Sequence, residues 1–393
     1  MKALGNIKLI ILLFFTSAKV EAVLIDYNSV LKAVNTSCEN SSIDFKKELW
    51  ESELAEKKAY GEILGIKNNC LSESDKVYVE LYYQYKDDRI LLSNNVETTL
   101  KNIIEQERVE EDLLNLISWL HEKIENFKDS DLGLLWMETY GEKMISIQEF
   151  MAPSYPDKKE IQAIYHQDNI SSENYKNGIS LYMFCRRNRN YHCLVTGKDK
   201  NKNPILLDDG NLWSHPALAM SSRGLPSNIV NGQTPQGVHT IDSVMPEANR
   251  QIAFGKFRRL ILNWVRGDFS ERGEMAFLPQ DSVDSLWWRQ ASLSKKVGRK
   301  DLRIHGTGKI NDDPTSTHFP FRKSAGCITQ REGEYGELDF IDQRLLLDTL
   351  MGAMNLEVNY DNEALIKGVL YVVEINDSES HVTLAEVEEL LNE

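Results

Sequence analysis

None of the chain's 10 prolines falls before residue 153. Proline fixes φ and removes a backbone donor, so it is excluded from helix interiors. The proline-free stretch is therefore free to form long helices, and its apolar residues follow helical spacing. Phe45, Leu49, Trp50, Leu54 and Ala55 recur on one face, and Val77, Leu81 and Tyr85 are spaced by four. Residues 96–127 form one long amphipathic run through Leu100, Ile103, Ile104, Leu113, Leu114, Ile117, Leu120 and Ile124. Leu134, Leu135 and Met137 continue it. Residues 23–152 are thus expected to be a helical domain.

Pro153-Ser154-Tyr155-Pro156 ends this pattern and opens a linker over residues 153–177 that includes a helix. From Gly178 the pattern becomes β. Ile179–Cys185 and Tyr191–Val195 read as paired strands, and Val238-His239-Thr240-Ile241 and Arg303-Ile304-His305 as alternating ones. Phe257–Val265 fits a strand or a helix. Val283–Leu293, Leu338–Met354 and Leu384–Leu391 read as helices, and Gly368–Ile375 as a closing strand. The predicted class is α+β: a helical N-terminal domain, a mostly β domain over residues 178–376 and a C-terminal helix within 377–393. At roughly 100–200 residues per domain, a chain of this length accommodates both.

Residues 1–22 read as an export signal. Lys2 and Lys8 precede the apolar run Leu9–Phe15, and Val20-Glu21-Ala22 offers a small-residue cleavage site. The alternative is an uncleaved N-terminal anchor. The run is shorter than the ~20 residues of a membrane span, and no transmembrane segment is expected in the mature chain. A periplasmic or secreted protein is the expectation. Cleavage would remove Lys2, Lys8, Lys19 and Glu21 and take the net charge from −15 to −17. Nucleic acid is therefore not expected as a partner, since phosphate binding needs a basic face.

Export permits disulfides. Cys38 and Cys70 can pair in the N-terminal region, and Cys185 and Cys193 across the turn Arg186–Asn190, which leaves Cys327 as the odd thiol. In the alternative, all five stay reduced or pair differently.

Cys327 lies in Ser324-Ala325-Gly326-Cys327, 22 residues after His305. A cysteine attacks acyl carbon as its thiolate and needs a nearby base. His305 is the candidate base, with His318 as a rival nine residues before the cysteine. Gly326 permits a tight turn that aims backbone N–H groups at a developing oxyanion. Thr307, or the backbone after His305, would orient the imidazole. His239 is expected to be structural or to line the cleft. Trp287 and Trp288 fit either core packing or stacking on sugar rings.

His305-Gly306-Thr307 followed by Ser324-Ala325-Gly326-Cys327-Ile328 resembles the signature of the L,D-transpeptidase (YkuD-type) catalytic domain. Thr234-Pro235-Gln236-Gly237 resembles that family's strand entry upstream. The resemblance covers about residues 178–376. It implies an exported, peptidoglycan-modifying enzyme acting on stem peptides, with Cys327 as nucleophile and His305 as general base. Gly306 would lie against the imidazole, and Ser324, Gly326 and Cys327 would frame the oxyanion site. Arg331, helped by Arg322 or Lys323, would take the substrate carboxylate, beside Thr307. No metal or organic cofactor is implied. The products would be those of an L,D-transpeptidase or, with water as acceptor, an L,D-carboxypeptidase. A non-catalytic wall-binding protein on the same fold is the alternative. The chain departs from the family pattern in three places: Ala325 stands where a histidine is usual, the loop from His305 to Cys327 is longer, and Thr329-Gln330 separate Cys327 from Arg331.

Overall fold

The computed structural model describes residue 49 and residues 71–392, apart from residues 86, 126, 128–129, 168–171, 249–253, 266–271 and 283. The export signal, Cys38, Cys70 and most of the first predicted helix lie outside the described residues. The chain divides into two compact units, Met1–Ser146 and Ile147–Glu393.

In the first unit, α1 (Glu73–Gln84) starts at a capping box formed by Ser72 and Asp75. The Glu80 carboxylate then takes the N–H and hydroxyl of Ser93 (2.6 and 2.8 Å), the N-cap of α2 (Asn94–Glu105). The amphipathic run over 96–127 is two α-helices, not one. Glu107 adopts φ 51°, which ends α2, and α3 (Glu111–Leu120) follows. The sequence there, Gln106-Glu107-Arg108, carries no apolar side chain that a continuing helix would bury. Leu100, Ile104, Leu113, Leu116, Ile117 and Leu120 are buried. Helix α4 (Asp131–Met151) runs across the division of the chain.

The second unit is built on an eight-stranded mixed sheet. Its elements are α5 (Lys158–His166), β1 (Ile179–Arg186), β2 (Cys193–Lys198), β3 (His215–Ala217), β4 (Gly237–Val244), β5 (Leu260–Trp264), α6 (Arg289–Lys296), β6 (Arg303–Gly306), β7 (Ile328–Gln330), β8 (Glu332–Tyr335), β9 (Leu338–Ile341), α7 (Asp342–Ala353), β10 (Lys367–Asn376) and α8 (Leu384–Leu391). The sheet order is β3-β2-β1-β10-β4-β5-β6-β7, while β8 and β9 form a separate ribbon. Central strands β1 and β10 are parallel neighbours. Every residue of β1 is buried, as expected for a strand covered on both faces. One face packs Ile179, Leu181, Met183, Leu370 and Val372 against Leu346, Leu347, Leu350 and Met351 of α7. The other packs Tyr182, Phe184, Val369 and Tyr371 against α5, α8 and the two tryptophans. Tyr182 and Tyr371, paired in register, stack at 5.2 Å.

The predicted hairpin is present, with β1 and β2 antiparallel and Cys185 bonded to Cys193. Phe257–Val265 resolves to a strand, β5. Two helix expectations need correction. Leu338–Met354 begins as strand β9, because Gly336 (φ 59°) turns the chain into a hairpin with β8; α7 starts only at Asp342. Val283–Leu293 is not one helix: α6 starts at Arg289. Trp287 and Trp288 precede it, fully buried, and their indole N–H groups donate to Glu160 (2.8 Å) and to Ser282 O (2.9 Å). These rings belong to the core, which removes them as a sugar platform. Helices α5 and α8 also pack onto this unit, so the expected linker and C-terminal helix are layers of it.

Candidate active site

Strand β6 lies between β5 and β7. It is antiparallel to β5 (Leu260 opposite Ile304) and parallel to β7 (Ile304 opposite Ile328, His305 opposite Thr329). Ile304 and Ile328 join the apolar cluster under α7. The two-residue period of a strand turns Arg303 and His305 to the opposite face. Cys327 immediately precedes β7, so the same period puts it on that face, next to Arg303. The imidazole and the thiol thus reach one face of adjoining strands.

His305 is buried, with Nδ1 2.5 Å from the carbonyl of Gly306. The backbone after His305 therefore orients the ring. Thr307 instead donates its hydroxyl to Lys309 O (2.7 Å). His305 Nε2 is buried without a hydrogen-bond partner among the described residues. The Phe254 ring meets the imidazole edge-on at 5.1 Å. Burial pulls the His305 pKa down to about 4, with Arg259 and Arg303 pushing the same way and the Gly306 carbonyl opposing. The ring is neutral near neutral pH, with a lone pair free to accept a proton.

Gly306 is required by a close approach. A Cβ there would overlap the buried Glu332 carboxylate, which also accepts the Lys256 N–H. Glu332 thereby ties the segment carrying Phe254 to β8. Burial raises the Glu332 pKa, against the Lys256 N–H and charge.

The Cys327 turn is held from four sides. Ser324 Oγ donates to Cys327 O (2.7 Å). Gly326 sits at φ +96°, where a Cβ would strike Gly232 O and the Arg299 guanidinium. Thr234 Oγ1 donates to Gly326 O (2.9 Å). Leu218 and Thr329 exchange backbone hydrogen bonds, and Ser222 N donates to Ser324 O (2.7 Å). The two sequence motifs are therefore one structure, since Thr234 of Thr-Pro-Gln-Gly clamps the glycine before the cysteine. Among the described residues, the N–H groups of Gly326 and Cys327 donate to no protein carbonyl outside the sheet ladder.

The half-buried Cys327 thiol faces Asp301 O (3.7 Å). Burial raises its pKa, while the Arg303 N–H and the charges of Arg303, Arg299 and Arg259 oppose that rise. Arg299 is fully buried and spends its donors on Ser227 O, Gln233 O and Gly232 O. Arg259 stacks on Phe254 at 4.7 Å and has no ion pair among the described residues. Arg303 pairs with the exposed Asp301 at 3.2 Å. Three guanidinium groups thus act on the thiol, and sequence reasoning singled out neither Arg259 nor Arg299. Arg303 alone was legible, by its alternation with His305.

The other expected contacts lie elsewhere. Arg331 is bound to Asp342 (2.5 Å), with its guanidinium over the rings of Phe321 and Phe340. Arg322 is exposed, and its carbonyl takes the Thr329 hydroxyl (2.7 Å). His318 is buried against Ser316 Oγ (2.9 Å). His239 is fully buried in contact with Pro235 O (3.3 Å) and is part of the core. No group of His, Cys, Asp and Glu suited to a metal ion occurs among the described residues, and none of their helices is long and apolar enough to cross a membrane.

Compared with known proteins, the chain matches no family model, no curated protein and no solved structure. The resemblance to L,D-transpeptidases therefore rests on the sequence motifs alone.

Proposed function

We propose that the protein is an exported cysteine acyltransferase acting on peptidoglycan stem peptides, with the activity of an L,D-transpeptidase. The observation that carries this reading is the clamp from Thr234 to Gly326 O, on a turn beside the strand of His305. Two motifs separated in sequence meet as parts of one site. Export is supported by the Cys185–Cys193 disulfide, since such bonds persist in oxidising compartments.

In the reaction, the Cys327 proton passes to His305 as sulfur attacks the amide carbonyl before a terminal D-residue. The oxyanion takes the N–H groups of the Gly326–Cys327 turn. The C–N bond breaks, the leaving amine takes the proton from the imidazole, and a thioester remains on Cys327. An amine then gives a cross-link, or water gives a trimmed stem.

Mass spectrometry of tetrapeptide stems incubated with the protein tests this. The native chain should release the terminal D-residue and carry a thioacyl adduct on Cys327; Cys327→Ala should do neither while melting normally. Trimmed stems without cross-links would select the carboxypeptidase. Binding of stems with no release by the native chain would select the non-catalytic wall-binding protein.

A further inference from the structure

The loop between β1 and β2 is closed at its base by the Cys185–Cys193 disulfide, and it meets segment 377–383, which joins β10 to α8. The first tie between them is the buried Arg186. Its guanidinium donates to Ser380 O (3.0 Å), His381 O (3.3 Å), Asn376 Oδ1 (2.9 Å) and both oxygens of Glu386 on α8 (2.7 and 2.8 Å). The second tie is a pair of histidines. His192, the residue before Cys193, and His381 stack face to face, with ring centroids 3.7 Å apart and planes within 10°. The His192 N–H donates to His381 Nδ1 (3.2 Å), and the Val382 N–H donates back to His192 O (3.3 Å).

These contacts require uncharged rings. A nitrogen that accepts a hydrogen bond carries no proton, whereas an imidazolium carries one on each nitrogen. Protonated His381 would turn a donor toward the His192 N–H and lose that bond. A further proton on His192 would then set like charges in contact across the stack. The groups around the pair give no relief. From β1, Arg186 presents positive charge, and Glu386 on α8 is already engaged with it. From the chain before β8, Arg331 acts on His192 with the same sign and is itself paired with Asp342. Tyr191 and Phe321 meet the pair with their rings (5.8 and 5.5 Å). Asp377 and Glu379, on the segment itself, are exposed. Among the described residues no carboxylate is paired with either imidazole, and His192 Nδ1 is buried and unpartnered. Burial pulls the His192 pKa down to about 4, with His381 and Arg331 pushing the same way; burial and then Arg186 lower that of His381. Both residues are partly exposed, so protons reach them.

We propose that the His192–His381 stack is an acid-opened latch: protonation of His381 breaks its bond to the His192 backbone and frees segment 377–383 while the sheet stays folded. The docked segment keeps both rings below the ordinary histidine value of about 6.5, and the freed segment restores it. Between those limits the freed form binds more protons, so falling pH favours opening. Opening is local. Strands β1 and β10 keep their ladder, and α8 keeps the Arg186–Glu386 pair and the buried Val387 and Leu391. The latch is independent of the acyl-transfer reading.

Hydrogen exchange of the full chain at pH 7 and pH 5, read by mass spectrometry and corrected for the intrinsic rate, tests the latch. Peptides covering 378–383 should open at least about tenfold more at pH 5, as one histidine titrating near 6.5 requires, while those of β1 and β10 stay protected. His381→Asn keeps an acceptor for the His192 N–H without the charge, and it should lose most of this acceleration. His192→Phe keeps the stack and the backbone donor, and it should still accelerate, because His381 still titrates. Unchanged protection of 378–383 in the native chain overturns the proposal. So does equal acceleration in β1 and β10, or full acceleration in His381→Asn. Should His381→Asn fail to fold, His192→Phe decides: loss of all acceleration there would place the titration on His192 and overturn the proposal as well.

Discussion

At the residue scale, the proposed chemistry turns on what happens when the thiol loses its proton. Burial keeps both groups neutral at rest, lowering the imidazole pKa of His305 and raising that of the Cys327 thiol. The emerging thiolate is stabilised by Arg259, Arg299 and Arg303. Arg299 also holds three loop carbonyls, so its removal would confuse charge with folding. Arg303 and Arg259 are partly exposed and separate the two effects. Arg303→Gln should raise the apparent thiol pKa by about one unit, the lower end for a lost opposite charge within contact range. Arg303→Lys should restore it. The measurement is the pH dependence of Cys327 alkylation, read on its own peptide by mass spectrometry. Identical profiles in the native protein and Arg303→Gln would remove the arginines from the chemistry.

At the element scale, the site depends on register and on one cross-chain clamp. Alternation made β6 legible, and the glycine before Cys327 made the turn legible. Two cysteines flanking a predicted turn also anticipated the hairpin disulfide. The partners of the turn were not legible. Thr234 and Gly326 are 92 residues apart, and only the sheet order brings them together. Arg259 and Arg299 flank strands without any periodic tie to the His-Cys stretch. The sequence leaves the tryptophans open between core packing and stacking on sugar rings, because nothing in it shows that Glu160 and Ser282 satisfy their indoles. Thr234→Val tests the clamp. It preserves shape and removes the hydroxyl, leaving the buried Gly326 carbonyl without that donor. The expected cost is about 1–2 kcal/mol in urea unfolding. Stem cleavage should fall well beyond what that small change in folded fraction explains. Unchanged cleavage would make the turn independent of the upstream motif.

At the scale of the whole second unit, the sheet is covered on both faces, and this gives the fold its own pH response. Burial holds His192, His239 and His305 at pKa values of about 4. In the unfolded chain each takes up a proton near the usual 6.5. Between those limits the unfolded state binds more protons than the folded one, so acidification favours unfolding. Stability should be full above pH 6.5 and fall progressively toward pH 4. Asp242 and Glu386 are held below the usual carboxylate values and keep their charge further into the acid range, so their contribution is lost later. Glu332 acts in the opposite direction, because its raised value lets the folded state take a proton early and relieves some of the loss. Three histidines against one such carboxylate set the net sign. The melting temperature should therefore drop across pH 6.5 to 4, before the paired carboxylates titrate. His239→Gln, at a buried position outside the proposed catalytic groups, should flatten that slope even if it lowers the melting temperature at pH 7. A flat profile over this window, or a slope unchanged by His239→Gln, would show that the buried imidazoles do not govern the acid limit of the fold.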